Sequence, residues 1–184
     1  MIILVDMDDT IEDLLGSWCN WLNNNYGTSV EPESINQWEV KKFFPQLTVE
    51  EVFSPFDDKE FWKTVKPKSG SIKYLKKLIK EGNEVYIVTA SHYKSIFAKY
   101  TYVLKRYFSF IDWNHVIITS NKQLISGDIL IDDGPHNLEN GKYIKILFTA
   151  PHNKSYNAEE NGMIRVSSWS QVYNVVHKIQ GSQE

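Results

Sequence analysis

The sequence predicts an α/β protein: a three-layer, Rossmann-like parallel sheet with a small helical cap inserted after its first strand. Short apolar runs, rich in β-branched residues, recur at positions 2–5, 84–88, 116–118, 128–131, 144–148 and 163–166. Stretches with apolar residues at helical spacing separate several of them. The best of these runs show no polar alternation, as expected of strands buried on both faces of a parallel sheet with helices packed against it.

The first run, Ile2, Ile3, Leu4 and Val5, leads straight into Asp6 and Asp8, with Thr10 two residues further on. Parallel sheets carry their ligands just beyond the carboxyl ends of their strands. Neither aspartate has a basic neighbour in sequence, and two anions at the mouth of an apolar sheet are costly unless a cation or a proton resolves them. The same stretch also suits a plain helix cap. Ile11, Leu14, Leu15, Trp18 and Leu22 then follow helical spacing as far as Tyr26-Gly27, and Cys19 beside that stripe reads as packing.

Residues 28–66 change character. They are rich in acidic and aromatic residues, are interrupted by Pro32, Pro45 and Pro55, and show no strand alternation. Trp38, Phe43, Phe44, Phe53, Phe56, Phe61 and Trp62 all fall here. The expected division is a core of residues 1–10 and 67–184 with a cap of residues 11–66 lying over the strand ends.

From Ser69 regular structure resumes. Ile72, Leu75, Leu78 and Ile79 make a helix with a lysine-rich outer face, closed by Gly82. The second strand leads into Thr89-Ala90-Ser91, and the next helix is expected to bury Ile96, Phe97, Tyr100, Val103, Leu104 and Tyr107 on one face. The third strand precedes Asn121-Lys122, and the fourth ends in Asp132-Asp133-Gly134. Asn140-Gly141 and Asn161-Gly162 mark turns before the last two strands, and Val172, Val175, Val176 and Ile179 form a closing helix.

Bulk properties narrow the function. A chain of 184 residues suits one domain, and 42% hydrophobic residues with six tryptophans supply a core. A net charge of −3 argues against a nucleic-acid polymer or an anionic membrane as partner. One cysteine excludes an internal disulfide framework, no apolar run approaches the ~20 residues of a membrane span, and Met1 leads directly into a strand without a basic leader, so a cytoplasmic location is expected. The histidines at 92, 115, 136, 152 and 177 are scattered and none pairs at zinc-ligand spacing; His92 or His136 could approach the site from its loop but reads better as solvated, and GxSxG, Walker, GxGxxG and HExxH patterns are missing.

In a parallel sheet all the strand ends that carry polar residues open on one edge. Asp6, Asp8, Asp132, Asp133, Thr89, Ser91 and Lys122 could therefore converge, giving four carboxylates, one or two hydroxyls and an ammonium. Carboxylate clusters suit Mg²⁺ completed by substrate oxygens, while hydroxyl and ammonium groups hold a phosphoryl group.

The series VDMDDT, VTAS, Lys122 and IDD, in this order, resembles the haloacid-dehalogenase-like (HAD) phosphohydrolases over the whole chain. VDMD, GDILIDD, the spacing of Lys122 from Asp132 and the Phe61-Trp62 pair resemble more closely the 5′(3′)-deoxyribonucleotidase branch. That resemblance implies a Mg²⁺-dependent phosphomonoester hydrolase acting on (deoxy)nucleoside monophosphates through an aspartyl-phosphate. It implies Asp6 as nucleophile and Asp8 as acid/base, the latter with its pKa raised by crowded carboxylates. Asp6, the Asp8 carbonyl and Asp133 would hold the metal, with Asp132 behind them. Thr89 and Lys122 would grip the phosphate, with Ser91 and Asn121 as candidate helpers. Trp38, Phe61 and Trp62 are candidates for contact with the substrate. The chain departs from that branch at Asp9-Thr10, where Gly-Val is usual, and at Leu14, where an aromatic contact is expected.

Three alternatives stand beside this reading. One is a HAD phosphatase for a sugar phosphate or other small phosphomonoester, and another is a non-catalytic phospho-ligand-binding protein. The third, a signalling receiver domain, has its acidic pair, aspartate and lysine in a different order. The partner is a small molecule, and the chain could act alone or as a homodimer.

Overall fold

The computed structural model describes residues 1–182, so residues 183 and 184 of the expected core lie outside the described part. Six strands form one wholly parallel sheet: β1 (Ile2–Val5), β2 (Glu84–Thr89), β3 (Val116–Ile118), β4 (Ile129–Asp132), β5 (Ile144–Phe148) and β6 (Ile164–Val166). Their order is β3-β2-β1-β4-β5-β6. The chain runs outward from β1 to β3 and returns to β4 on the other side of β1. This reversal opens a crevice at the carboxyl end of β1. Val5 pairs with Ile87 of β2 and Ile131 of β4, so Asp6 emerges between those two strands.

Strand side chains alternate between two apolar cores. Ile3, Val5, Ile87, Ile131 and Ile146 face the larger one. It is covered by α1 (Leu14–Tyr26), α4 (Ser71–Lys80) and α8 (Trp169–Gly181). Leu4, Val88, Leu130 and Leu147 face the smaller one, closed by Leu138, Tyr143, Ala158 and Met163. The second outer layer is therefore thin, with the short α7 (Pro135–Leu138) and loops in place of long helices.

Between β1 and β2 there is no strand. After α1 come 3₁₀ turns, α2 (Val49–Phe53) and α3 (Lys59–Thr64). Gly27, at φ +66°, ends α1 by donating to Asn23 O, a left-handed conformation that glycine adopts without strain. The prolines keep the following helices short. Pro32 and Pro55 each open a 3₁₀ turn, where a missing N–H costs nothing. The two ends of this excursion are tied together: Asp13 N donates to Lys66 O at 2.8 Å and Lys68 N to Ile11 O at 2.9 Å.

One expected element differs in detail. The helix read across residues 96–107 is built from α5 (Ile96–Lys99), a π-helical turn over Tyr100–Leu104, and α6 (Lys105–Tyr107). The wider turn shifts the residues before it around the axis. Phe97, expected inside, is 76% exposed, whereas Lys99 is 2% exposed. Asp9 occupies a left-handed conformation at φ +51°. It is held there by its carboxylate, which accepts from Leu15 N at 3.1 and 3.2 Å and caps α1.

Trp169 ties α8 to the loop after β1. Its indole is fully buried, packs on Phe148 and donates from Nε1 to Thr10 O at 2.9 Å. Trp169→Ala is expected to cost about 3–5 kcal/mol, the usual range for deleting a buried aromatic. A urea melt followed by circular dichroism checks this.

Candidate active site

Asp6 leaves β1 with its N–H donating to Ile131 O at 2.8 Å, which aims its carboxylate along the crevice. Lys122 enters from a 3₁₀ turn between β3 and β4. Its ammonium is 1% exposed and donates to both Asp6 Oδ1 and Asp132 Oδ2, the latter at 2.6 Å. Burial works against that charge, but the two aspartates outweigh it and hold Lys122 well above the usual lysine range. Asp132 is saturated: its other oxygen accepts from Gly134 N at 2.8 Å and Asn137 Nδ2 at 3.0 Å.

Carboxylate oxygens of Asp6, Asp132 and Asp133 lie within 4.8 Å of one another, and all three residues are buried. Burial is the main influence that raises Asp6 to about 7, with Lys122 opposing it and Asp132 and Asp8 adding to it. Burial, together with Asp6 and Asp132, likewise pushes Asp133 well above the carboxylate range. One ammonium among three buried carboxylates leaves negative charge that a cation would offset. With Asp132 spoken for by its protein partners, the oxygens of Asp6 and Asp133 are the ones that fit a hard divalent ion.

Asp8 departs from expectation. Crowding by carboxylates was to raise its pKa. Burial does push upward, but the Lys99 ammonium, 2.7 Å from Oδ2, and a hydrogen bond from Glu12 outweigh it and hold Asp8 below the usual value. Lys99 also donates to Thr89 Oγ1 and Ser91 Oγ, each at 2.9 Å. Glu12 is fully buried and is raised well above its ordinary value by burial, with the Asp8 charge second. As ions, Glu12 and Asp8 Oδ1 would face each other without a donor. A proton on Glu12, which its pKa favours, satisfies both.

Above this floor lies a cavity of about 740 Å³ that also reaches Leu14, Trp18, Trp38, Val40, Phe53 and Phe56. A more open hollow of about 830 Å³ between Lys68, Tyr74 and Trp169 holds neither the aspartate cluster nor Lys122. Trp38 is 59% exposed and meets the rings of His136 and His152 edge-on at 4.8 and 4.9 Å. Leu14 lines the cavity at the place where an aromatic contact was expected.

The structure thus brings together Asp6, Asp8, Thr89, Ser91, Lys122, Asp132 and Asp133 at one sheet edge. Asn121 is exposed, its N–H bonded to Thr119 Oγ1. Phe61 and Trp62, expected as candidates for contact with the substrate, are 0% and 2% exposed and do not line the cavity. They pack with Phe56 and with each other, and Trp62 donates to Phe56 O at 3.0 Å. Three residues around the site escaped the sequence reading, two of them, Glu12 and Lys99, fully or almost fully buried. Lys99 and Glu12 lie on stretches read for their apolar positions. His152 counted only as one of five scattered histidines, yet its Nε2 is 2.8 Å from Asp133 Oδ2, and burial, with Lys68 and His136, lowers it to about 4.

A parallel sheet whose strand order reverses at β1, with an aspartate at that strand end and lysine and acidic partners around it, defines a HAD-like fold. The solved structure of a HAD family hydrolase from Deinococcus radiodurans R1, with bound phosphate and sodium, superposes with a TM-score of 0.67 at 13% identity, covering 96% of this chain and 95% of that one. Within that class the chain belongs to the family described as 5′ nucleotidase, deoxy (pyrimidine), cytosolic type C protein (NT5C), whose model matches residues 1–181. It is 36% identical over 173 residues to the 5′(3′)-deoxyribonucleotidase of Bacillus subtilis (strain 168), covering 93% of this chain and 95% of that protein. It is 33% identical over 165 residues to the 5′(3′)-deoxyribonucleotidase of Clostridium acetobutylicum, covering 90% and 88%. The chain is accordingly a phosphatase of the 5′-nucleotidase type.

Cation binding is read most directly as stability. At a concentration of about 100 times its Kd, a divalent cation held by Asp6 and Asp133 is expected to add ~2.7 kcal/mol, or roughly 5–10 °C in Tm for a domain of this size. Asp133→Asn should lose most of that increment. Differential scanning fluorimetry with and without EDTA checks both.

Proposed function

We propose that the chain is a Mg²⁺-dependent 5′(3′)-deoxyribonucleotidase that works through an aspartyl-phosphate on Asp6. The observation that carries this is Asp6 itself: buried at the end of β1 and oriented by Lys122, it faces a cavity with charged groups below and aromatic rings above. The names of the B. subtilis and C. acetobutylicum relatives support the substrate class.

In this reading an Asp6 oxygen attacks phosphorus in line and the bond to the leaving oxygen breaks. Asp8 passes to the leaving oxygen the proton that Glu12 holds against it, then accepts one from the water that opens the aspartyl-phosphate. Asp6, the Asp8 carbonyl and Asp133 would hold Mg²⁺, which supplies charge neutralisation for the phosphoryl oxygens. Thr89 and Lys122 hold those oxygens: Lys122 uses two N–H donors on Asp6 and Asp132, so its third is free for substrate. Asp132 fixes the Lys122 ammonium from behind.

Segment 11–66 serves as the cap. Its two ends meet at the Asp13–Lys66 and Ile11–Lys68 hydrogen bonds, and its side chains supply the upper wall of the cavity. Trp38, Phe53 and Phe56 offer flat apolar surfaces suited to a nucleobase, which a sugar phosphate would leave unused. No helix among the described residues is long and apolar enough to cross a membrane. The proposed action is on free nucleotides in the cytoplasm.

Asp6→Asn removes the attacking charge and is expected to lower kcat by roughly 10³-fold or more, about 4 kcal/mol of transition-state stabilisation. Wild-type turnover by the folded, metal-loaded variant would overturn the assignment. Stacking on an aromatic ring contributes ~1–3 kcal/mol in nucleic-acid binding, so Trp38→Leu should raise KM for a deoxynucleoside monophosphate roughly 5- to 150-fold. Hydrolysis of a sugar phosphate should change little. A phosphate-release panel on wild type and variant decides the substrate class, and a wild-type preference for sugar phosphates would discard the nucleotidase reading.

A further inference from the structure

Lys99 is a second buried ammonium at the site, and the sheet edge does not account for it. It projects from the last turn of α5, where the π-helical turn begins, with its charge 5.8 Å from the centre of the Trp62 ring. An ammonium has three N–H donors. Lys99 spends all three inside the protein: on Asp8 Oδ2 at 2.7 Å, Thr89 Oγ1 at 2.9 Å and Ser91 Oγ at 2.9 Å. Lys122 differs on both counts, since it lines the cavity and keeps a free donor, whereas Lys99 does neither.

A lysine that gripped the phosphoryl group would keep a donor pointing at it. This one is saturated and holds side chains. We propose that Lys99 is a positioning residue for Asp8, fixing that carboxyl group on the leaving-group side of the site. The inference rests on the Asp6/Asp8 reading above.

In the step concerned, an Asp6 oxygen forms a bond to phosphorus and the P–O bond to the leaving group breaks. The electron pair passes to the leaving oxygen, which takes a proton handed on through the Asp8 carboxyl from Glu12, whose carboxyl group bonds Asp8 and is left ionised. Asp8 is left as a carboxylate facing the Lys99 charge. Anchored by Thr89 and Ser91, that ammonium holds the carboxyl in one place throughout, and without it Asp8 is free to swing away from the leaving oxygen.

An alkoxide leaving group needs the proton, and a nitrophenolate does not. Lys99→Met, which keeps the length of the side chain, is therefore expected to lower kcat/KM for a deoxynucleoside 5′-monophosphate at least ~10-fold more than for para-nitrophenyl phosphate. Competitive inhibition by inorganic phosphate should move less than ~3-fold. In an Asp8→Asn background the same substitution should change kcat/KM for either substrate by no more than ~3-fold, as for residues acting as one unit. Lys99→Gln, which leaves a polar group in the buried site, should repeat the pattern if the methionine variant does not fold.

Equal losses on both substrates, weakened phosphate inhibition, or an undiminished effect in the Asp8→Asn background would each overturn the inference. The last two leave the Asp6/Asp8 reading intact. Asp8→Asn alone losing equally on both substrates would instead remove the acid role of Asp8, and the inference with it.

Discussion

The arrangement depends on one buried ammonium. Lys122 stands between Asp6 and Asp132, two carboxylates from adjacent strands that could not both be ionised in a dry crevice without it. It forces the ionised oxygens of the two strands to face each other. It also fixes which oxygens remain: Asp132 is consumed by protein donors on both sides, whereas Asp6 keeps one oxygen for chemistry. The strand order makes this possible, because only a chain that leaves β1 one way and returns to its other side places residues 6 and 132 as neighbours.

In the proposed function, charge on the floor and aromatic surface on the roof divide recognition between two parts of the chain. The floor comes from the strand ends and would accept any phosphomonoester. The roof comes from α1 and the proline-broken segment after it, where no element is long enough to bury all its aromatic rings. Phe44, Phe61 and Trp62 form the interior of that segment, which leaves Trp38, Phe53 and Phe56 at the cavity. Segment packing and substrate surface thus draw on one pool of aromatic residues, and burial is what sorts them.

Much of this was legible in the sequence because it is local. The bounds of β1, β3 and β5 agree with the apolar runs, and the other three strands differ by one residue at one or both ends, because such runs have no stable place except between two packed layers. The aspartates and Lys122 were legible because parallel strands all present their carboxyl ends on one edge. What was not legible depends on contacts between distant parts of the chain. No local pattern distinguishes Phe61, in the interior, from Phe56, at the cavity. Nor does the sequence around Asp8 reveal that a lysine 91 residues away holds its pKa below the usual value, against the upward push of burial. His152 reads as a loop residue until the loop is seen folded over Asp133.

The π-helical turn over Tyr100–Leu104 belongs with these non-local features. A π turn is an α-helix carrying one surplus residue. Each residue of an α-helix advances about 100° around the axis, so the surplus sets everything before it out of phase with everything after it. Val103 and Leu104 keep their places in the apolar core while Lys99 reaches a polar crevice and Phe97 is turned out to solvent. A single-residue deletion within this turn would restore a regular helix and rotate Lys99 away from Asp8. The helix would read as improved by every local criterion, and the site would lose one of its two buried ammonium groups.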